Sequence, residues 1–171
     1  MAMTTPRMSV DGLTALAQAL RDPEVLARYR VKLVTVPGSP CVWFAGAISN
    51  RGHGRFWYAP GRVVIAHRFA YAIKYGAAAL GEARVLGHRC DNPLCQRVAP
   101  GHVEPSSPRQ NRREWAARRR VAGGPLVDPR GARVRARALR DLARADPRAV
   151  GEELESLRVL LGEQLTMPLQ W

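Results

Sequence analysis

Cys90 and Cys95, with His102 seven residues beyond the second cysteine, form the densest group of chemically capable side chains in the sequence. Thiolate and imidazole are donors suited to tetrahedral Zn²⁺. A closed structural site needs a fourth ligand. Cys41, the third cysteine, supplies it if its segment folds back; His53 or His67 could stand in for Cys41 or His102. The loop of residues 89–106 is too polar to pack unaided, so a bound metal there would take the place of a core. Just before this loop, His88 ends a strand-like run, and just after it Asn111 falls in the first turn of a helix. A clamped loop would bring that imidazole and that carboxamide oxygen to one surface. A neutral imidazole can take a proton from water. A carboxamide oxygen can hold a hard cation such as Mg²⁺, which keeps most of its waters and meets phosphate oxygens. The chemistry indicated is metal-assisted phosphodiester hydrolysis. A nearby arginine would add charge stabilisation; Arg68 could reach a scissile phosphate or equally pack as a structural residue.

The elements that must position these groups can be read from pattern and punctuation. Asp11 is placed to cap a short helix carrying Leu13, Leu16 and Leu20, and Asp22-Pro23 to start a second one. Pro37-Gly38-Ser39-Pro40 interrupts the chain. Cys41–Ala45, Arg55–Tyr58 and Arg62–Ile65 then read as three antiparallel strands of a meander. A helix is expected over 66–75, with Phe69, Ala72 and Ile73 inward and Gly76 ending it. Arg84–Leu86 is a short strand leading into the cysteine loop. Ser107, Pro108 and Gln110 are placed as N-cap, N1 and N3 of a helix running to about Arg120. Further helices are expected over 134–145 and after Pro147. The last carries Val150, Leu154, Leu157, Leu161 and Leu165 on one stripe, which reads as core packing or as a homodimer surface. Three segments result: helical 1–36, a central unit 37–122, and arginine-rich 123–171.

Charge narrows the partner. The 171 residues carry a formal net charge of +13, which favours a polyanion, with DNA or RNA the commonest such partner and an anionic membrane surface the rival; double-stranded DNA is the partner expected. Arg51, His53 and Arg55 surround the tip of the first expected hairpin, and Arg62 begins the third strand; a β-ribbon with arginines fits a major groove. Arg112, Arg113, Arg118, Arg119 and Arg120, then the arginines of 130–140, could track phosphates or form a solvated face. No apolar run is long enough to span a bilayer, so no membrane partner is expected. Three cysteines cannot all pair within the chain, and metal-ligating thiols in a reducing cytoplasm fit better than disulfides.

The stretch from Cys41 to about Arg120 resembles the HNH endonuclease superfamily (His-Me finger, ββα-metal), in particular its zinc-bearing phage and homing branch and the His-Cys box homing endonucleases. The residues that carry the likeness are Cys41-Val42-Trp43, Gly54-Arg55-Phe56, Ala66-His67-Arg68-Phe69-Ala70-Tyr71, His88-Arg89-Cys90-Asp91-Asn92-Pro93-Leu94-Cys95, Gly101-His102-Val103-Glu104 and Gln110-Asn111. The resemblance implies an α+β fold in which a three-stranded meander and a zinc-stapled ββα-metal motif are flanked by terminal helices. It also implies His88 as general base, Asn111 as ligand of the catalytic Mg²⁺, a structural zinc on Cys41, Cys90, Cys95 and His102, and a meander docked in a DNA groove. Many relatives carry an acidic metal ligand just before the base; Gly87 stands there, so one protein ligand is expected. The other reading is a non-catalytic DNA-binding protein on the same zinc-stapled scaffold.

Overall fold

The structure, a computed structural model, describes residues 8–118, 121 and 125–166, with side chains to residue 160. Arg119 and Arg120, and the side chains of Leu161 and Leu165, lie outside the described residues. The fold is mixed α+β, with six α-helices and three small antiparallel sheets among the described residues.

Helix α1 (Val10–Ala19) is capped by Ser9, whose Oγ accepts from Gly12 N at 3.1 Å; Asp11, expected as the cap, lies inside the first turn. Ser9 takes the role because its backbone is extended, as an N-cap requires. Helix α2 (Pro23–Arg30) begins as expected, with Asp22 Oδ1 accepting from Glu24 N and Val25 N. Both helices bury Leu16, Ala19, Val25 and Tyr29 in the same core as Phe56, Phe69 and Leu86. The 1–36 segment thus shares its interior with the central unit. A hairpin also bridges the expected boundary, since β1 (Leu33–Thr35) pairs with β2 (Val42–Phe44).

That hairpin alters the meander. The three-stranded sheet is β3 (Ala47–Ile48), β4 (Gly54–Ala59) and β5 (Arg62–Ile65). The strand read over Cys41–Ala45 belongs elsewhere: one edge of β2 pairs with β1, and the other meets the cysteine loop. Phe44 N donates to Leu94 O at 2.9 Å and Gln96 N to Val42 O at 2.7 Å. Phe44 is fully buried against Tyr29, and only residues 45–46 separate the end of β2 from the three-stranded sheet.

Helix α3 (Ala66–Glu82) is broken at Gly76, whose φ of 90° is open to glycine at little cost. The glycine stops the first helical piece as its sequence position suggests, and a second piece follows instead of a loop. Phe69 and Ala72 are buried; Ile73, expected inward, is 44% exposed. Next come β6 (Val85–His88) and β7 (Val103–Ser106), paired with His88 opposite Val103. The second of these strands lies in what reads as loop. Ser107 then caps α4 (Pro108–Arg118) through its Oγ, which accepts from Gln110 N at 3.1 Å. A single 3₁₀ turn over Pro125–Val127 precedes α5 (Gly131–Ala145) and α6 (Ala149–Thr166). These two helices bury Ala136, Leu139, Ala143, Val150 and Leu157 in a second core with Val36, Cys41, Trp43, Leu94 and Cys95. The C-terminal segment therefore packs on the cysteine loop. No described helix is long and apolar enough to cross a membrane.

Candidate metal centre and catalytic cavity

The cysteine loop is built from local signals. Asn92 Oδ1 accepts from Leu94 N at 3.0 Å and Cys95 N donates to Asn92 O at 3.0 Å, so Asn92-Pro93 makes a tight turn that returns Cys95 towards Cys90. Asp91 holds φ 55°, a conformation that Asp tolerates better than most residues. The pairing of β2 with residues 94–96 delivers Cys41 to the same place. At the far end Arg89 N donates to His102 O at 2.8 Å.

Ligand atoms of Cys41, Cys90, Cys95 and His102 all lie within 4.8 Å of one another. His102 Nδ1 is 3.6 Å from Cys41 Sγ and 3.5 Å from Cys95 Sγ. A tetrahedral zinc with bonds of about 2.3 Å to sulfur and about 2.0–2.1 Å to nitrogen would set such pairs about 3.6 Å apart. The donor set and its spacing fit a structural metal such as zinc. Cys41, Cys95 and His102 are buried. Hydrogen bonds from Cys90 and Cys95 draw the Cys41 thiol down to about 2, while Cys90 is pushed up to about 11 by its hydrogen bond with Cys41. The cluster therefore readily holds one thiolate, the form in which sulfur binds a metal.

A cavity of about 830 Å³ opens beside this centre, and both His88 and Asn111 line it. His88 closes β6; Asn111 sits in the first turn of α4, where Asn111 N donates to Ser107 O. Asn111 lies beside the residue that precedes His88: a methyl group built on Gly87 would lie 3.7 Å from Asn111 Oδ1. The strand–loop–helix unit is clamped by charge as well as by cysteine. Arg118 Nη1 donates to His88 O at 3.0 Å and meets Asp91 Oδ1 at 2.8 Å. Arg89 meets Glu104 Oε2 at 3.2 Å and also pairs with Glu114 on α4.

Neither family models nor curated proteins nor solved structures give a match to this chain. The site must be read from its own geometry.

Three histidines meet in the cavity. His88 Nε2 is 3.1 Å from His67 Nδ1, and His53 completes a group whose ligand atoms lie within 4.8 Å of one another. His53 thus turns inward from the hairpin tip instead of standing out on it. His53 and His67 take no part in the cysteine cluster, and all four histidines of the chain fall into these two groups. Burial pushes His88 down to about 3, aided by the neighbouring His53; burial also lowers His53 and, further, His67. All three are neutral at neutral pH. His88 Nδ1 is buried and has no hydrogen-bond partner among the described residues.

The arginines divide. Arg51, Arg55 and Arg112 line the cavity from two sides. Arg113 is exposed on α4, and Arg62 opens β5; neither lines the cavity. Arg68 borders the cavity, but its guanidinium faces the carbonyls of Leu80 and Ala83 at 3.4–3.5 Å, where it holds the two pieces of α3 together. Its expected reach to a phosphate is not the position it takes. Arg118 is engaged by His88, Asp91 and Glu114. In the 130–140 run, Arg130 and Arg135 pair with buried Asp128, and Arg140 donates to Gly46 O. Those three arginines staple the C-terminal helices; Arg133 and Arg137 of the same run are exposed.

Proposed function

We infer that this chain is a metal-dependent endonuclease of the HNH (His-Me finger, ββα-metal) type that hydrolyses phosphodiester bonds in double-stranded DNA. The observation that carries the reading is that His88 and Asn111 line the same arginine-bordered cavity, with Asn111 Oδ1 beside Gly87. The elements β6, β7 and α4 supply the ββα unit, and the cysteine loop between the two strands supplies the staple.

In the tautomer with its proton on Nε2, His88 donates to His67 Nδ1 and presents a lone pair at Nδ1. That atom is buried and lacks a partner among the described residues, so it is the ring position left to accept a proton from a water admitted to the cavity. Burial holds His88 well below an ordinary imidazole, so the ring is neutral at neutral pH but a weak base; a bound cation that acidifies the attacking water would make up the difference. Arg118 fixes the His88 carbonyl, which holds the ring's backbone in register with α4. Asn111 offers one carboxamide oxygen, a donor set suited to a hard ion that retains its waters. A cation such as Mg²⁺ held there would neutralise charge on the phosphate oxygens and the leaving oxygen. Arg51, Arg55 and Arg112 surround the position of the strand and attract its backbone.

Plasmid incubated with the zinc-loaded protein and Mg²⁺ tests the reading. Cutting should fall by about a hundredfold or more in His88→Ala while DNA affinity stays within about twofold. DNA binding without Mg²⁺-dependent cutting by the wild type would replace the reading with that of a non-catalytic DNA-binding protein.

A further inference from the structure

We propose that His53, His67 and His88 form a second metal site, which takes a nitrogen-preferring divalent cation of the zinc, cobalt or nickel kind and not Mg²⁺. The site itself is independent of the function proposed above; its effect on cutting rests on that function.

The three imidazoles come from three separate elements: the β3–β4 turn, the first turn of α3 and the end of β6. Convergence of this kind is not a by-product of one local pattern. The ring centroids of His67 and His88 are 4.4 Å apart, and His53 stands 5.4 Å and 5.7 Å from them. One hydrogen bond can satisfy the His67–His88 contact. It leaves unexplained why a third imidazole is folded in from the hairpin tip, with its backbone N–H tied to Ser49 Oγ at 3.2 Å. Three imidazole nitrogens within 4.8 Å of one another are a donor set suited to a borderline cation, and imidazole is a poor donor for Mg²⁺. Two ligands at about 2.0–2.1 Å in a tetrahedral site lie about 3.3–3.4 Å apart. The His67–His88 pair is already near that value at 3.1 Å, and a ligand nitrogen of His53 lies within 4.8 Å of both. The cavity provides the remaining coordination position, which makes the site an open one, unlike the closed cysteine centre. The charges of Arg51, Arg68 and Arg118 reach the histidines and oppose a dication, so the expected affinity is well below that of the cysteine centre.

Occupation has a chemical consequence. A cation bound to His88 Nε2 and His67 Nδ1 uses both lone pairs, so each ring keeps its single proton on the other nitrogen. No proton is lost overall. His88 Nδ1 then carries the proton and can no longer accept one. Zinc beyond the structural equivalent should therefore switch off cutting that Mg²⁺ supports, without unfolding the protein.

The probe is Co²⁺, added to protein whose cysteine centre has first been filled with zinc. The expected result is one further equivalent, with visible d–d bands and no thiolate-to-cobalt charge transfer. Excess Mg²⁺ should not displace it, and His53→Asn and His88→Asn should each weaken it at least tenfold. The same ion should broaden the imidazole signals of these three histidines in the wild-type NMR spectrum, which needs no variant to fold. Failure to bind a second equivalent, binding undiminished in folded variants, or broadening elsewhere overturns the site. Cutting is measured separately: loss of Mg²⁺-supported cutting at the second zinc equivalent supports the switch, and unchanged cutting overturns it. A protein that binds cobalt as described but never cuts would retire the endonuclease reading and leave the site standing.

Discussion

Removal of the cation from the cysteine centre should unfold the 89–102 loop locally and lower the melting temperature. The loop holds about 14 residues, and fixing their backbone costs at least about 14 kcal/mol at about 1 kcal/mol each. Its buried apolar side chains are few: Leu94 and Cys95 are within 1% of full burial and contribute about 3 kcal/mol. Its backbone hydrogen bonds, among them Arg89 N to His102 O and Gln96 N to Val42 O, contribute about 6 kcal/mol at about 1 kcal/mol each. The shortfall of about 5 kcal/mol lies well within the roughly 10–16 kcal/mol that a structural zinc can supply. Because β2, α5 and α6 share a core with this loop, the loss should be felt beyond it. For a chain of this size about 5 kcal/mol corresponds to a fall of roughly 10–20 °C in Tm. Differential scanning calorimetry of the zinc-loaded protein, of chelated protein and of Cys95→Ser measures the shift, and limited proteolysis should place new cleavage between residues 89 and 102. Chelated and Cys95→Ser proteins that melt with the wild type and resist cleavage would refute the reasoning: the loop would then be held by packing alone.

Other outcomes follow from the same geometry. His88 is held near 3 against an ordinary 6.5, so between those values the unfolded chain binds a proton that the folded chain does not, and stability falls as pH falls. From pH 7.5 to 5 the wild type should lose about 2 kcal/mol more than His88→Asn, read from urea midpoints; equal losses would contradict the burial of the ring. Gly54→Ala would place a methyl group 2.4 Å from Phe44 Cδ1 and 3.0 Å from Ala66 Cβ, and overpacking of this kind should cost about 1–3 kcal/mol in chemical denaturation. Arg112→Ala should weaken binding to any duplex and flatten the salt dependence by about one phosphate contact. Arg118→Ala should instead lower stability by about 1–2 kcal/mol, through loss of its bonds to His88 O and Asp91, as seen by thermal melting.

Much of the site can be read from neighbouring residues. The spacing of Cys90, Cys95 and His102, the Asn92-Pro93 turn between them and the Ser107 cap before Asn111 are short-range signals. Each acts through bonds to residues a few positions away, and each appears in the structure where the sequence puts it. Asp22-Pro23 and Gly76 belong to the same class, since capping and a positive φ are decided by one or two residues. In the sequence Cys41 is one candidate for the fourth ligand beside His53 and His67, and the pairing of β2 with residues 94–96 is what brings it to the cluster.

What the sequence does not reveal is which of several compatible partners each segment takes. The run Cys41–Ala45 alternates as a strand should, but alternation does not say which edge it joins; β1 and the cysteine loop claim it because Phe44 must be buried beside Tyr29. Arginines in a row look alike until tertiary contacts separate them. Buried Asp128 draws in Arg130 and Arg135, and the carbonyls at the end of α3 draw in Arg68, because an unpaired buried charge or carbonyl is costly. The three-histidine group is the clearest case. Residues 53, 67 and 88 share no spacing that points to a common site, and their only early sign was that a chain with few histidines keeps three of them outside the cysteine loop. Only the packing of the β3–β4 turn, α3 and β6 around one cavity makes them neighbours, since long-range contacts are set by burial of the whole core and not by any local preference.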